Sequence, residues 1–485
     1  MKILSQLEPQ SVWQIFEDIC QVPRPSKKEE QIIAYLLNWA QQHQIEAKRD
    51  DAGNVLMRKP ATKGKEHIPT VVLQSHMDMV CEKNSDLAFN FETDAIQPVI
   101  DGEWVKAQGT TLGADDGIGM AAQMAVLLST DIAHGPIEAL FTVDEETGLT
   151  GAFELKPGFF EGKMLINLDS EDEGELFIGC AGGIDTTAVF NYQTASVPAG
   201  HKAFKIEIKG LNGGHSGDDI NKGYGNANKI LTRILWEAYS FGFKISDIGG
   251  GNLRNAIPRE AFAVITIDQT HADALMEMFK KMSCDIKAEL KTTEKNLEIS
   301  IKEHAVPNLI IDNLTQKNLI RSLYACPHGV IAMSRDMANM VETSTNLASI
   351  KMFRNTKNEI VVATSQRSSV DSSKHDIANM VEAVFLMSGA QVSHGDGYPG
   401  WAPNTDSEIL RISEASYTRL FNVKPVVRSI HAGLECGLFL EKYPDLDMIS
   451  FGPTLRGVHS PDEKIHIESV SKFWKHLKDV LESIK

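Results

Sequence analysis

Val71-Val72-Leu73-Gln74-Ser75-His76-Met77-Asp78 is an apolar run that gives out into a histidine and an aspartate. It reads as a buried strand, and an apolar strand followed by acidic residues recurs further along. Ile137 to Val143 leads to Asp144-Glu145-Glu146, and Met164 to Leu168 leads to Asp169-Ser170. Between them, Gly109-Thr110-Thr111-Leu112-Gly113-Ala114-Asp115-Asp116-Gly117 opens onto Met120, Ala121, Met124, Ala125 and Leu128 at helical spacing. Strands alternating with helices predict an open, mostly parallel α/β sheet. Such a sheet gathers the carboxyl ends of its strands at one edge, where ligands bind.

Carboxylates gathered at one edge repel unless cations hold them, so a metal site is the economical reading. His76 and Asp78 are two apart on one strand and share a face. An imidazole that binds metal needs an acceptor for its other N–H, and Asp78 is in register to supply it. The candidate ligands are His76, Asp115, Glu146, Asp169 and the distant His459, in Gly457-Val458-His459-Ser460-Pro461. That count suits two ions sharing one carboxylate. Nitrogen and oxygen donors without thiolate predict Zn2+, with Co2+ or Mn2+ able to substitute. Two such ions lower the pKa of a water they share. Glu145, beside a ligand yet facing elsewhere, is the candidate general base that passes a proton to a leaving amine. Amide hydrolysis is the reaction this predicts. Each cluster alone has a blander reading: a capped strand end at His76, a helix cap with a solvated partner at Asp115-Asp116, a surface turn at Glu145-Glu146. Their conjunction at successive strand ends carries the inference.

A chain of 485 residues exceeds one ordinary core. At about Ile184 the pattern changes to alternating strands, as in Ala203 to Lys209, Ala261 to Ile267, Leu297 to Ile301 and Ile360 to Thr364, with helical segments between. From Trp401 apolar strands resume, and a helix closes the chain. The expected organisation is a catalytic domain in two parts, 1–185 and 401–485, with an inserted α+β lid domain at 186–400. Two strand-helix passages in the insertion hint at a duplicated unit. Near the amino terminus, Ser26 is placed to cap a helix three residues before Glu29.

The formal net charge of -17 argues against a nucleic-acid partner. The six cysteines lack any CxxC pair, suit a reducing compartment and read as buried small hydrophobes. The stretch Met1 to Pro9 turns acidic and prolyl without an apolar run of signal length. No run reaches the roughly 20 apolar residues of a membrane span. A soluble cytoplasmic protein is expected. Neither a phosphate-binding GKS/T loop nor a GxSxG elbow is present, and Gly223-Tyr224-Gly225-Asn226 lacks the last glycine of a dinucleotide fingerprint.

In the insertion, His215 stands in Leu211-Asn212-Gly213-Gly214-His215-Ser216-Gly217, a turn too glycine-rich for a core histidine, and is the candidate extra donor to an oxyanion. Arg254 and Arg367 could grip a substrate carboxylate or form salt bridges within the domain. Asn255 could contact substrate or cap its turn. His431 and Glu435 could line the site. His43, His67, His271 and His476 read as surface.

Ser75-His76-Met77-Asp78, Leu112 to Gly117, Thr142 to Glu146, Asn167-Leu168-Asp169-Ser170 and Gly457 to Ser460 together resemble the dizinc exopeptidases, the family of glutamate carboxypeptidase, tripeptidase T and succinyl-diaminopimelate desuccinylase. The resemblance spans the chain. Length, the Ala114-Asp115-Asp116-Gly117 form and His431-Ala432-Gly433-Leu434-Glu435-Cys436 are similar to its cytosolic Xaa-His dipeptidase branch. It implies His76 and Asp169 on one metal, Glu146 and His459 on the other, and Asp115 bridging, with Asp78 orienting and Glu145 as base. It also implies dipeptide substrates with a free amino terminus, a preference for carboxyl-terminal histidine, and a homodimer in which the lid histidine, here His215, can serve a neighbouring subunit. Many members carry DxKG where this chain has Asp115-Asp116-Gly117, so that lysine is absent. The rival readings are an N-acyl amino acid deacylase on the same scaffold and an inactive binding protein. An intact Glu145 and ligand set speak against the second.

Overall fold

The structure, a computed structural model, describes residues 3–354 and 357–485. Met1 and Lys2, which begin the stretch read for an export signal, lie outside the described residues. The chain forms two compact units, one of Met1–Cys180, Trp401–Ser429 and Leu434–Lys485, the other of Ala181–Gly400 and Ile430–Gly433. The first junction falls after Cys180, not residue 185, and a short return, Ile430–Gly433, belongs to the second unit although it lies beyond residue 400.

The first unit holds an eight-stranded sheet ordered Glu46–Arg49, Val55–Lys59, Ile137–Thr142, Val71–His76, Met164–Asn167, Asp447–Ser450, Glu175–Cys180 and Val426–Ile430. Ile137–Thr142, Val71–His76, Met164–Asn167 and Asp447–Ser450 are parallel, while Glu46–Arg49, Val55–Lys59 and Glu175–Cys180 pair antiparallel. Connections explain the difference. Val71–His76 reaches its parallel neighbour through helix Ala114–Leu128, whereas Glu46–Arg49 and Val55–Lys59 are joined by a turn too short for a crossover. In that turn Asp50 Oδ1 accepts the N–H groups of Gly53 at 2.9 Å and Asn54 at 2.8 Å. Val71–His76 and Ile137–Thr142 are buried along their whole length, which is why they read as unbroken apolar runs. Helix Ala114–Leu128 packs against Val71–His76 and against helix Gln10–Ile19, and buries Met120, Met124 and Leu127, each worth roughly 1.5–3 kcal/mol.

Ser26 does not cap a helix. Helix Glu30–Gln42 starts without a side-chain cap, and Ser26 Oγ instead donates to Asp78 Oδ2 at 2.7 Å, because a buried carboxylate is the stronger acceptor. The cysteines are all unpaired; Cys20, Cys180, Cys326 and Cys436 are buried, but Cys81 is half-buried and Cys284 is exposed on helix Ala272–Glu289. Among the described residues no helix is long and apolar enough to cross a membrane.

His476 departs from its expected place on the surface. It is buried on helix Ile467–Ser483 between the rings of Phe451 and Tyr417, with Nε2 at 3.0 Å from Ser413 O. Helical spacing puts it with Phe473, Leu477 and Val480 on the apolar face. Burial pushes its pKa down to about 4. The unfolded chain takes up a proton near pH 6.5 that the folded chain refuses. Stability present above about pH 6.5 is therefore lost, at about 1.4 kcal/mol per pH unit, as the pH falls toward the folded value. Gln keeps a donor for Ser413, so the melting temperature of His476→Gln should fall less between about pH 7 and about pH 5 than that of the unaltered chain. Equal slopes would remove His476 from the acid response.

The second unit carries a nine-stranded sheet. Strands His201–Lys209, Lys244–Gly250, Ala261–Asp268 and Glu298–His304, with helices Ala227–Ala238 and Ala272–Glu289, make one βαββαβ half with strand order 4-1-3-2. Gly182–Asn191, Val341–Phe353, Glu359–Ser368 and Gln391–His394, with helices Asn313–Ala325 and Asp371–Met387, repeat that order as a mirror continuation. The halves meet where Gly249 pairs with Lys351. The hinted duplication is thus present in the topology, the first half being inserted after the opening strand of the second.

Candidate metal centre

Parallel pairing sets His76 level with Thr142, and Gln74 level with Asn167. The chain therefore leaves adjacent strands at one edge, bringing Asp78, Glu145, Glu146 and Asp169 around His76. Asp115 enters from the start of helix Ala114–Leu128, and His459 from the turn after Leu455–Arg456. His76 Nε2 lies 3.0 Å from Asp115 Oδ1 and 3.5 Å from Asp169 Oδ1. His459 Nε2 lies 3.2 Å from Asp115 Oδ2 and 3.0 Å from Glu146 Oε2. The Asp115 carboxylate thus stands between two histidines, one oxygen toward each. In His76, Asp115 and Asp169, and again in Asp115, Glu146 and His459, the ligand atoms all lie within 4.8 Å of one another. His459 is held at φ 60°, a backbone region that side chains other than glycine occupy at a cost.

Asp78 Oδ1 sits 3.3 Å from His76 Nδ1, on the far side of the ring from the cluster. The same carboxylate accepts the backbone N–H of Glu145 at 3.0 Å and of Glu146 at 3.3 Å, tying the strand end to helix Glu145–Gly148. His76, Glu145 and Glu146 form a third group that shares the His76 ring, and Glu29, Asp78 and Asp144 form a fourth, all carboxylates, each of which accepts from nearby donors. Glu29 Oε1 accepts from Lys27 N at 2.8 Å and Asp144 N at 3.0 Å, and Asp144 accepts from Thr147 and Thr150. Asp116, read as a possible solvated partner, is buried and accepts the Gly119 N–H at 3.1 Å.

Sequence reasoning singled out Glu435 among the supports and missed the others. Buried Arg24 donates to Met77 O, Asp78 O and Gly113 O. Buried Glu463 accepts from the loop that carries Asp115. Beneath the cluster, Gln74 donates to Glu435 Oε2 at 2.6 Å, Thr142 donates to the same oxygen at 2.8 Å, and Asn167 donates to Gln74 Oε1 at 2.6 Å. Burial lifts the Glu435 carboxyl to about 8. Nothing in the spacing of Arg24, Glu463, Gln74, Thr142 and Asn167 separates them from solvated residues.

The electrostatics ask for positive charge. Burial lifts Asp169 to about 7, whereas hydrogen bonds that the His459 ring donates to Asp115 and Glu146 raise His459 to about 11. Burial opposes a charge on His76, yet Asp169, Asp115 and Asp78 together hold its pKa well above the usual value. Buried Glu146 Oε1 has no hydrogen-bond partner. Imidazole nitrogens and carboxylate oxygens, without thiolate, are the donors of Zn2+, Co2+ and Mn2+, so the residues present fit two divalent ions.

His215, Asn255 and Arg367 all belong to the second unit. There His215 Nδ1 lies 3.5 Å from Asp218 Oδ2 and accepts the Asp218 N–H at 3.2 Å. Asn255 is exposed, and its carbonyl accepts the Ser216 N–H at 2.8 Å, so its backbone shapes the His215 turn. Arg367 is buried, donates from Nη1 to Tyr398 Oη at 2.9 Å and has an unpartnered Nε. Arg254 is engaged by Asp185 at 3.1 Å. His431 groups with these residues, Nε2 at 2.8 Å from Ser344 Oγ, and burial, then Arg367, pushes it down to about 4. Glu435, paired with it in sequence, lies in the first unit.

A parallel-centred α/β sheet with paired His/carboxylate groups sharing Asp115 at its carboxyl edge defines a dinuclear-metal hydrolase. Residues 72–483 match the profile of peptidase family M20/M25/M40. The chain belongs to that family. It is 46% identical over 485 residues to the cytosol non-specific dipeptidase of Escherichia coli (strain K12), covering 100% of this chain and 99% of that one. The crystal structure of aminoacylhistidine dipeptidase from Vibrio alginolyticus superimposes with a TM-score of 0.92 at 45% identity, over 99% of this chain and 98% of that one. A tripeptidase from Staphylococcus aureus subsp. aureus mu50 shares the fold, with a TM-score of 0.61 at 16% identity over 99% of each chain.

Proposed function

We propose that this chain hydrolyses the peptide bond of dipeptides with a free amino terminus, preferring Xaa-His. The observation that carries the reading is Asp115, with Oδ1 at 3.0 Å from His76 and Oδ2 at 3.2 Å from His459. In this reading His76 and Asp169 hold one ion, Glu146 and His459 the other, and Asp115 both. Bound Zn2+, or Co2+ or Mn2+ in its place, lowers the pKa of water and offsets charge developing on the scissile carbonyl. Asp78 keeps the His76 ring oriented. Glu145 takes a proton and hands it to the leaving amine. Burial, then the charges of Asp169, Glu146 and Glu435 against the pull of His76, raise its carboxyl above the ordinary value. From the second unit, as a lid, His215 donates to the oxyanion, Asn255 contacts substrate and Arg367 grips the terminal carboxylate. The unpartnered buried Nε of Arg367 supports that last role.

The names of the Escherichia coli and Vibrio alginolyticus relatives support dipeptides as the substrate class and differ on breadth. The first also supports a cytoplasmic location, and the family resemblance supports a homodimer. The test compares β-Ala-His, Gly-His and N-acetyl-Gly-His before and after chelation. The free-amine dipeptides should lead by at least about 100-fold in kcat/KM, as when a site pairs a polar group of its substrate. Chelation should abolish turnover and Zn2+ restore it. Faster turnover of the acetylated peptide would replace this reading with a deacylase.

A further inference from the structure

The loop Leu112 to Asp115 carries the one carboxylate that both ligand groups share, and what holds that loop lies far away in sequence. Glu463 is 2% exposed. Its Oε2 accepts the N–H of Leu112 at 2.7 Å and of Gly113 at 2.9 Å, and its Oε1 accepts that of Ala114 at 2.7 Å and of Asp115 at 3.3 Å. Successive amides turned inward make an anion-binding concavity, and here the anion is one of the chain's own side chains. The loop's carbonyl at Gly113 is held separately by Arg24, which also grips Met77 O and Asp78 O. Glu463 stands in the same turn as His459: its own N–H donates to Ser460 O at 3.0 Å, and Ser460 Oγ donates to Gly457 O at 2.6 Å. One turn therefore presents an imidazole to Asp115 and clamps the backbone that bears Asp115.

We infer that Glu463 is a positioning residue that sets the shared carboxylate of Asp115 against His459, so that one buried side chain governs the affinity for both ions. This rests on the dinuclear reading above. Both oxygens of a carboxylate accept, whereas an amide offers one acceptor and turns an NH2 group toward two N–H donors. Asp115 then loses its anchored backbone, and the ions lose their common ligand geometry.

A plain stabilising role would move the melting temperature alone, and the molecule contains its own control. Glu138 is likewise 2% exposed and accepts the N–H of Glu161 at 2.7 Å and Gly162 at 2.9 Å, near the start of its strand and away from the cluster. The full-length chain, stripped by chelation, is titrated with Zn2+ against a chromophoric chelator and with Co2+ by visible absorption. Circular dichroism checks folding at the assay temperature. Glu463→Gln is expected to weaken both binding steps by about 10- to 100-fold, the effect typical of groups that orient ligands, and to alter the cobalt band. Glu138→Gln should lower the melting temperature and leave zinc affinity unchanged. If Glu463→Gln does not fold, Glu463→Asp, which keeps two acceptors on a shorter arm, should show a smaller loss in the same direction. Zinc affinity and a cobalt spectrum unchanged in the folded Glu463 variant would overturn the inference, as would an equal loss in Glu138→Gln. An unaltered chain that takes up fewer than two ions overturns the dinuclear reading, and this inference with it.

Discussion

If Glu145 is the base, as proposed, Glu145→Gln should lower kcat on Gly-His by about 100- to 10,000-fold, the share ordinarily supplied by a positioned acid-base group, while both ions stay bound. Glu145 and Glu146 open the short helix Glu145–Gly148, where successive side chains point about 100° apart. Glu146 lies 3.0 Å from His459, and in the proposed reading the neighbouring Glu145 is the carboxylate that transfers the proton. Its backbone N–H is pinned to Asp78 Oδ1 at 3.0 Å, so the substitution changes the side chain's chemistry without releasing the backbone. Metal analysis beside steady-state kinetics makes the check. A variant that loses an ion would move Glu145 into the ligand set, consistent with its lying within 4.8 Å of His76 and Glu146 ligand atoms. A variant that keeps full kcat would remove it from proton transfer.

Asp115→Asn should have the second large effect, the loss of both ions from one substitution. Asp115 faces His76 with one oxygen and His459 with the other, and an amide can present oxygen to only one of them. Losing a shared anionic ligand should weaken zinc binding beyond the roughly 10- to 100-fold expected for an outer group. Zinc content should fall from two ions to fewer than one, and hydrolysis to background, at zinc concentrations that saturate the unaltered chain. By contrast, Asp169→Asn and His459→Ala should each weaken one ion, because each lies in only one of the two groups that contain Asp115. Two ions retained in Asp115→Asn would show that the carboxylate is not shared.

Three members of the cluster were legible in sequence because each follows an apolar run. His76, Glu146 and Asp169 stand at or just beyond strand ends, and parallel neighbours aligned in register bring those ends to one edge. The extent of parallel order was less visible, since it depends on how strands are joined: the Asp50–Asn54 turn forces an antiparallel pair that periodicity cannot detect. Ser26 shows the same limit. Its spacing from Glu29 suits a helix cap, yet a carboxylate 52 residues away wins its hydroxyl.

Local pattern alone determined that this chain builds strands ending in histidine and carboxylates, interrupts them with an alternating second unit, and carries His459 late. Those are properties of periods of two and 3.6 residues, which a linear text records. Folding alone decided which polar side chains are buried and whom they meet: Arg24 under Gly113, Glu463 on the Asp115 loop, Glu435 under Gln74, His476 between two rings. Burial makes an unpaired polar group costly, so its partner must be close in space, while nothing requires that partner to be close in sequence.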